Sequence, residues 1–468
     1  MSRRKVVVIG IDGMDYELTS QFLPNLSNIK RISQFGSFLP FSSVFPPDSI
    51  PAWITCFTGK DPSEHGILAS IDYLSKKKIS VDTSQFQGKT FWDVLGKAGF
   101  KVCVINPFLA YPPWEVNGIM ISGPVFISGE VQVYNSLKID LDNVPTSFGG
   151  IVDFPKKKDL AKFAEKAYKD TLEQAEFGLY LFQKFQFDLF FQTFLTLDRI
   201  QHFFWRYCDK DDPTYPGSNP FENIIFKFYK LFDEIVGRFL QLLKPEDILI
   251  VISDHGHGRR CIYCFNINEY LRRKGFLKTK GGIKALLIEK MKNNFLYIMN
   301  KFGFEDYIST IAKLVPKAKK IKKGEHIIGH SNSLAYLADF SSVSPFGGIF
   351  INKHLISNYT QIKEILIKDL EKFQYKDHKI FRWIKSREEI YNGPYLYKYP
   401  DIVFALDYNF GINWSTYTDI ITFNYTHKKI SGGHREKGVW ISNLSCFNWK
   451  MKSIHNFFDF ILSLFFSF

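Results

Sequence analysis

Long apolar runs are missing from this 468-residue chain. A membrane-crossing helix needs roughly 20 consecutive apolar residues, and the runs here end sooner, which excludes that kind of span. The start, MSRRKVVVIGID, sets basic residues before an apolar run, but it is too short for a signal peptide and has no cleavage site. It reads as a first β-strand leading into Asp12, so the expected location is cytoplasmic. Cysteine is scarce, with six residues and one C-x-x-C pair, Cys261 and Cys264. A pair without a second pair is a weak zinc or redox signal. Cys56, Cys103, Cys208 and Cys446 stand among apolar residues and read as core thiols. Internal repeats, low-complexity linkers and aromatic-interleaved basic modules are also absent. Their absence argues against a repeat architecture and against nucleic acid as a partner.

What is present describes a globular protein. Hydrophobic residues make up 45% and charged residues 23%, enough for a large core. The net charge is +13, from 60 basic and 47 acidic residues. Such a field attracts an anionic substrate, a membrane surface or nucleic acid. Most lysines are scattered, however, and reflect composition more than a binding face.

The stretch ILIVISDHGHG, residues 248–258, joins a continuous apolar run to Asp254 and His255. The run suits a parallel strand buried on both faces. Ligands of open α/β sheets bind beyond the carboxyl ends of strands. Burying a carboxylate beside an imidazole is costly unless each finds a partner. The same design recurs in KVVVIGID, closing on Asp12, and in FDLFFQTFLTLDRIQH, closing on Asp198 with His202 four residues later. Asp-x-x-x-His puts both side chains on one face of a helical turn. A helix cap or turn accounts for each carboxylate taken singly. Together, three strand-end aspartates with two histidines read as a metal site of oxygen and nitrogen ligands.

Two adjacent metals clamp the attacking and leaving oxygens of an in-line displacement at phosphorus. FPPDSIPAWITCFTG, residues 45–59, offers a nucleophile in Ser49. Metal coordination activates a serine hydroxyl without a histidine base. The alternative is that Ser49 is the N-cap of a helix starting near Pro51. Both readings are compatible, since a helix N-terminus also provides amide donors for a phosphoryl group.

These pieces resemble the alkaline phosphatase superfamily, in particular its type I phosphodiesterase and nucleotide pyrophosphatase branch and the group of predicted phosphohydrolases or phosphomutases. The resemblance rests on IGIDGMD, FPPDSIPAWITCFTGKDPSEHGI, INPFLAYPPWEVNGIMISG, LDRIQHFFW, SDHGHG and GGHREKGVW, in the family's order over nearly the whole chain. It implies a mostly parallel central sheet with helices on both faces and a helical cap insertion. The implied divisions are a core of residues 1–269, a basic cap at 270–335, and a second core part at 336–468. It also implies two divalent ions, often zinc and in some branches manganese. Asp12, Asp254 and His255 would hold one ion together with Ser49, the implied nucleophile. Asp198 and His202 would hold the other, completed by His434. The implied chemistry is phosphoryl transfer through a phosphoserine on a small phosphate ester or nucleotide-like substrate. The nucleotide pyrophosphatase branch carries an Asn shortly after its H-G-I segment, and HGILASIDY has none. Ser70 or a backbone amide takes that place, or the substrate differs; diesterase, monoesterase and mutase outcomes stay open. A reading of another class is a non-catalytic basic protein on this fold, bound to membrane or nucleic acid; the complete ligand set argues against it.

The remaining organisation is coarser. IKALLIEKMKNNFLYIMNKFGF shows helical spacing, and Lys317, Lys319, Lys320, Lys322 and Lys323 follow it. A packed helical insertion with a solvated basic loop is the first reading; an anion-attracting lid or membrane-surface helix is the second. SIHNFFDFILSLFFSF at the C-terminus reads as a helix packed on the core, with peripheral membrane contact as alternative. TFWDVLGKAGF and residues 160–186 are expected helices, KVCVINP a strand, and 124–160 a loop. FGGIFIN, YPDIVFAL and VWISN are expected to close the sheet.

Overall fold

The structure is a computed structural model describing residues 4–69, 83–138, 141–150, 154–315, 318–324, 326–338, 340, 343–445 and 451–466. Ser70, Lys317 and Cys446 lie outside the described residues, as does the side chain of Lys319.

Among the described residues the central sheet has eight strands: β1 (Val6–Ile11), β2 (Ser37–Ser42), β3 (Val102–Ile105), β4 (Gly118–Ser122), β5 (Gln132–Asn135), β6 (Leu189–Phe194), β7 (Ile248–Ile252) and β8 (Lys437–Ser442). Their spatial order is β2-β8-β7-β1-β6-β3-β4-β5. The five strands from β7 to β4 are mutually parallel, and β5 and β8 join antiparallel. Every residue of β1, β6 and β7 is buried, as a sheet covered on both faces requires. The strand period of two then splits β1 between two cores. Val7, Ile9 and Ile11 pack with the helices Ser27–Phe35, Leu160–Lys184 and Ile224–Leu242. Val6 and Val8 pack with Ser49–Thr58, Phe91–Lys97 and the C-terminal helix Phe457–Phe465. That last helix buries Phe457, Phe460 and Ile461, which is the packing expected of it.

Two expectations need correction. The strands Phe346–Ile351 and Ile402–Leu406 do not close the central sheet. They pair antiparallel with each other and, with Ala335–Leu337 and Phe381–Ser386, form a separate four-stranded sheet over a third core. Only VWISN joins the central sheet, within β8. An apolar run specifies a buried strand but not which edge it pairs with. The loop expected over 124–160 also contains β5, at the open edge of the sheet.

Three parallel strands position the site. In register, Val6 lies opposite both Leu189 and Ile248, and Gly10 opposite both Thr193 and Ile252. The carboxyl ends of β7, β1 and β6 are therefore level, although widely separated in sequence.

Candidate metal centre

Beyond these level ends the chain places its acidic residues. Asp12 follows β1, and Asp254 and His255 follow β7. Asp198 does not end a strand as expected: β6 stops at Phe194, and Asp198 lies in the first turn of the helix Thr196–Cys208. His202 is one turn later on the same face, with Nε2 3.3 Å from Asp198 Oδ1. Gly13 makes the turn after β1 at a φ of 73°, a conformation costly for other residues. Its N–H donates to Asp254 Oδ1 at 3.2 Å, tying two strand ends together.

Two ligand clusters result. Asp12, Asp254 and His255 are buried, with one ligand atom each inside 4.8 Å of the others. His255 Nε2 lies 3.3 Å from Asp254 Oδ2 and 3.7 Å from Asp12 Oδ1. Ser49 Oγ joins this cluster, 3.4 Å from Asp12 Oδ1 and 3.1 Å from His255 Nε2. The second cluster is Asp198, His202, His257 and His434, within the same 4.8 Å limit. His257 and His434 present Nε2 at 3.4 and 3.5 Å from Asp198 Oδ1. The structure thus brings together all seven residues singled out in the sequence and adds His257.

The imidazoles are oriented as ligands. Nδ1 of His202, His255 and His434 each lies 3.0 Å from a backbone carbonyl, of Gly432, Gly256 and Pro47 respectively. Donation from Nδ1–H selects the tautomer whose Nε2 lone pair faces the cluster. His202 Nε2 and His434 Nε2 then face each other at 3.1 Å; burial opposes a charge on His434, but Asp198 and Asp48 push it up to about 9, so a proton sits where two lone pairs would otherwise meet. Asp198 Oδ1 and Asp254 Oδ2 are buried without hydrogen-bond partners among the described residues. Cations between these groups would displace that proton and partner both oxygens, so the residues fit two divalent ions. The titration behaviour has the same origin. Desolvation, reinforced by the charges of Asp254 and Asp198, holds the Asp12 carboxyl well above its usual range. Desolvation also raises Asp254, to about 7. Burial pushes His202 and His255 well below the usual imidazole value, keeping them neutral. Carboxylates this costly to ionise without a counter-charge suit a cation.

Ser49 is not the helix N-cap. Asp48 is, accepting from the Ile50 N–H at 3.0 Å, and Ser49 is the first residue of the helix Ser49–Thr58. The serine hydroxyl is therefore free to face the cluster. The amide donors expected from this terminus are largely committed. Ile50 N–H goes to Asp48, Pro51 has none, and Ala52 N–H donates to the Asp48 carbonyl. Trp53, one turn on, donates Nε1–H to Asp12 Oδ2 at 3.2 Å. Gly10 leaves room for that indole: a Cβ there would come within 2.7 Å of it.

His434 is brought in by strand pairing. Gly432–Arg435 runs antiparallel to Gly256–Arg259, with His434 opposite His257. Sequence reasoning missed His257, although the spacing held a signal. His255 and His257 are two residues apart, a spacing that in extended chain puts both side chains on one face. The C-x-x-C motif does not take part. Cys261 and Cys264 are buried free thiols whose pKa burial raises, and neither belongs to a metal-ligand group among the described residues. Cys56 and Cys103 are buried as expected, while Cys208 is half-buried.

Residues 6–397 match the family described as type I phosphodiesterase / nucleotide pyrophosphatase. No curated protein matches the chain. Among solved structures, the phosphonoacetate hydrolase of Sinorhizobium meliloti 1021 in complex with phosphonoformate is similar in fold, at a TM-score of 0.58 and 14% identity. That similarity covers 99% of this chain and 96% of the other. Murine ectonucleotide pyrophosphatase / phosphodiesterase 5, in complex with AMP, matches at a TM-score of 0.47 and 15% identity, over 98% and 94% of the two chains.

Proposed function

The chain belongs to the type I phosphodiesterase / nucleotide pyrophosphatase family, of metal-dependent phosphoryl-transfer hydrolases, and on that premise we propose that Ser49 is its nucleophile at a two-metal site. Asp12, Asp254 and His255 hold one ion beside Ser49, and Asp198, His202 and His434 hold the other. Histidine and carboxylate without thiolate suit zinc, our first choice, or manganese. Bound there, the ions supply Lewis acidity toward the phosphoryl oxygens. Ser49 Oγ gives up its proton to solvent and attacks phosphorus in line; the new O–P bond forms as the bond to the leaving oxygen breaks, and that oxygen keeps the electron pair and takes up a proton from solvent where its basicity requires one. Water then attacks the phosphoserine from the opposite side, releasing the phosphoryl product and restoring the hydroxyl. A second substrate hydroxyl in place of water would make the same site a mutase. The substrate proposed is a small phosphodiester or nucleotide-like ester, with a monoester as alternative. The observation that carries this reading is the approach of Ser49 Oγ to Asp12 and His255, 3.4 and 3.1 Å away, beside a buried carboxylate–imidazole cluster.

Hydrolysis of bis-p-nitrophenyl phosphate and p-nitrophenyl phosphate, with zinc or manganese, tests it. Turnover should fall by about 10³-fold or more in Ser49→Ala and vanish on chelation, with the diester the better substrate. A monoester preference with the same losses would move the substrate class and keep the site. Activity unchanged in Ser49→Ala would remove the phosphoserine route.

We also propose that the enzyme is cytoplasmic and that the segment 270–335 is an insertion between core parts 1–269 and 336–468, touching membranes peripherally. No helix among the described residues is long and apolar enough to cross a membrane. Ile283, Leu287, Met291, Ile298 and Phe302 line the exposed face of the helix Gly282–Lys301 and its C-cap, with Lys284, Lys290 and Lys301 also exposed. Its one acidic residue, Glu289, is buried. A face both apolar and cationic suits an anionic lipid surface. The inner side of this helix borders a largely apolar cavity of about 910 Å³, lined in part by Ile288, Phe295, Leu296, Trp414 and Tyr425. Vesicles of phosphatidylcholine with phosphatidylglycerol should sediment the protein, neutral vesicles should not, and Met291→Glu should weaken the effect. Equal recovery with both vesicle types would eliminate the membrane contact.

A further inference from the structure

We propose that His257 is a fourth protein ligand of the ion held by Asp198, His202 and His434. The inference rests on the two-metal reading above and extends it to a residue that the resemblance does not include. His257 is 2% exposed, and neither ring nitrogen has a hydrogen-bond partner among the described residues. An unpartnered buried imidazole is expensive, and the described residues offer this one no carbonyl. Its Nε2 instead faces Asp198 Oδ1 at 3.4 Å, the same atom approached by His202 and His434. The backbone fixes this placement from two sides. The His257 N–H donates to Asp15 Oδ2 at 3.2 Å, and the paired strand sets His434 opposite. Gly432 keeps the space clear, since a Cβ there would lie 2.5 Å from His257 Cε1. The indole of Trp205 stacks on the ring, with centroids 5.9 Å apart and planes 20° from parallel, restricting its rotation.

Three imidazoles and a carboxylate have a consequence for the choice of ion. A tetrahedral ion would be saturated by four protein ligands, as structural zinc sites are. Phosphoryl transfer needs an open position for a reacting oxygen. At this second site the order of choice given above for zinc and manganese therefore reverses: an ion that accepts five or six ligands, such as manganese, is favoured over one held at four. The neighbouring cluster at Ser49, with two carboxylates and one imidazole, carries no such restriction.

The test counts ligands without relying on turnover. The full-length protein is stripped of metal and reloaded with Co²⁺ at both sites, and its paramagnetically shifted, exchangeable imidazole N–H proton signals are recorded. Each histidine bound through Nε2 contributes one. Wild type should show four, from His202, His255, His257 and His434, and His257→Gln should show three while the other signals persist. In parallel, chelator competition with Mn²⁺ should show one of two sites weakened by roughly 10-fold or more in His257→Gln. Three signals in wild type, with Mn²⁺ affinity unchanged in the variant, would overturn the proposal and leave His257 as a hydrogen-bond partner of Asp198. The wild-type count needs no variant, so a folding defect in His257→Gln cannot mask the answer. Failure of the protein to bind two ions at all would overturn the two-metal reading itself, a separate outcome from a count of three.

Discussion

Asp12 is oriented by an indole N–H. Trp53 donates to Asp12 Oδ2, leaving Oδ1 toward Ser49 and His255. Partners that orient a metal ligand affect affinity without touching the ion. Trp53→Phe keeps most of the ring volume in a fully buried position and removes only the donor. Its expected effect is a loss of metal affinity of about 10-fold at one site, with the thermal midpoint of the metal-free protein little changed. Metal titration by calorimetry checks it; unchanged affinity at both sites would mean that the indole serves packing alone.

At the scale of elements, the helix Ile267–Arg273 is tied to the segment around Tyr417 by a buried acid. Glu269, on the helix Ile267–Arg273, accepts from Arg272 and Arg273 and from the Tyr417 N–H at 2.7 Å. Burial opposes its ionisation, but these donors outweigh burial and hold the carboxyl below its usual range. A depressed folded-state pKa stabilises the protein above the ordinary carboxylate range of about 4.3, and the contribution is lost as pH falls through the lower folded value. Glu269→Gln should therefore cost about 2 kcal/mol at pH 7. The gap from wild type should narrow below the usual carboxylate range. Urea unfolding at both pH values measures it, and a gap independent of pH would assign the role of Glu269 to shape instead of charge.

Over the whole molecule, the site is a place where the fold works against itself. Asp12, Asp198 and Asp254 converge in a buried pocket at the level ends of three strands; beyond burial itself, Asp254 and Asp198 raise the cost of ionising Asp12, and Asp198 that of ionising Asp254. An ion that binds only the folded state stabilises it by mass action, by about 4 kcal/mol at 1,000 times its Kd. Chelation should lower the thermal midpoint by several degrees, and adding the ion back should restore it. A midpoint indifferent to removal of both ions, followed by scanning calorimetry, would show that the carboxylates need no counter-charge.

The legible part of this protein was local. Continuous apolar runs announced β1, β6 and β7, because a strand covered on both faces tolerates no polar alternation. The polar residues just beyond those runs announced Asp12, Asp254 and His255, because carboxylate and imidazole stay beside a core only with partners. Helical spacing linked Asp198 to His202. His434 was reached only through the family resemblance, since a histidine in a glycine pair carries no strand signal of its own. What the tertiary structure alone decided was pairing. Periodicity does not state which edge a strand joins, so Phe346–Ile351 and Ile402–Leu406 left the central sheet for a second one. Nor does it state register, which set β7, β1 and β6 level and laid His434 opposite His257. Ligand types were therefore written along the chain, while their meeting depended on hydrogen bonds between strands hundreds of residues apart.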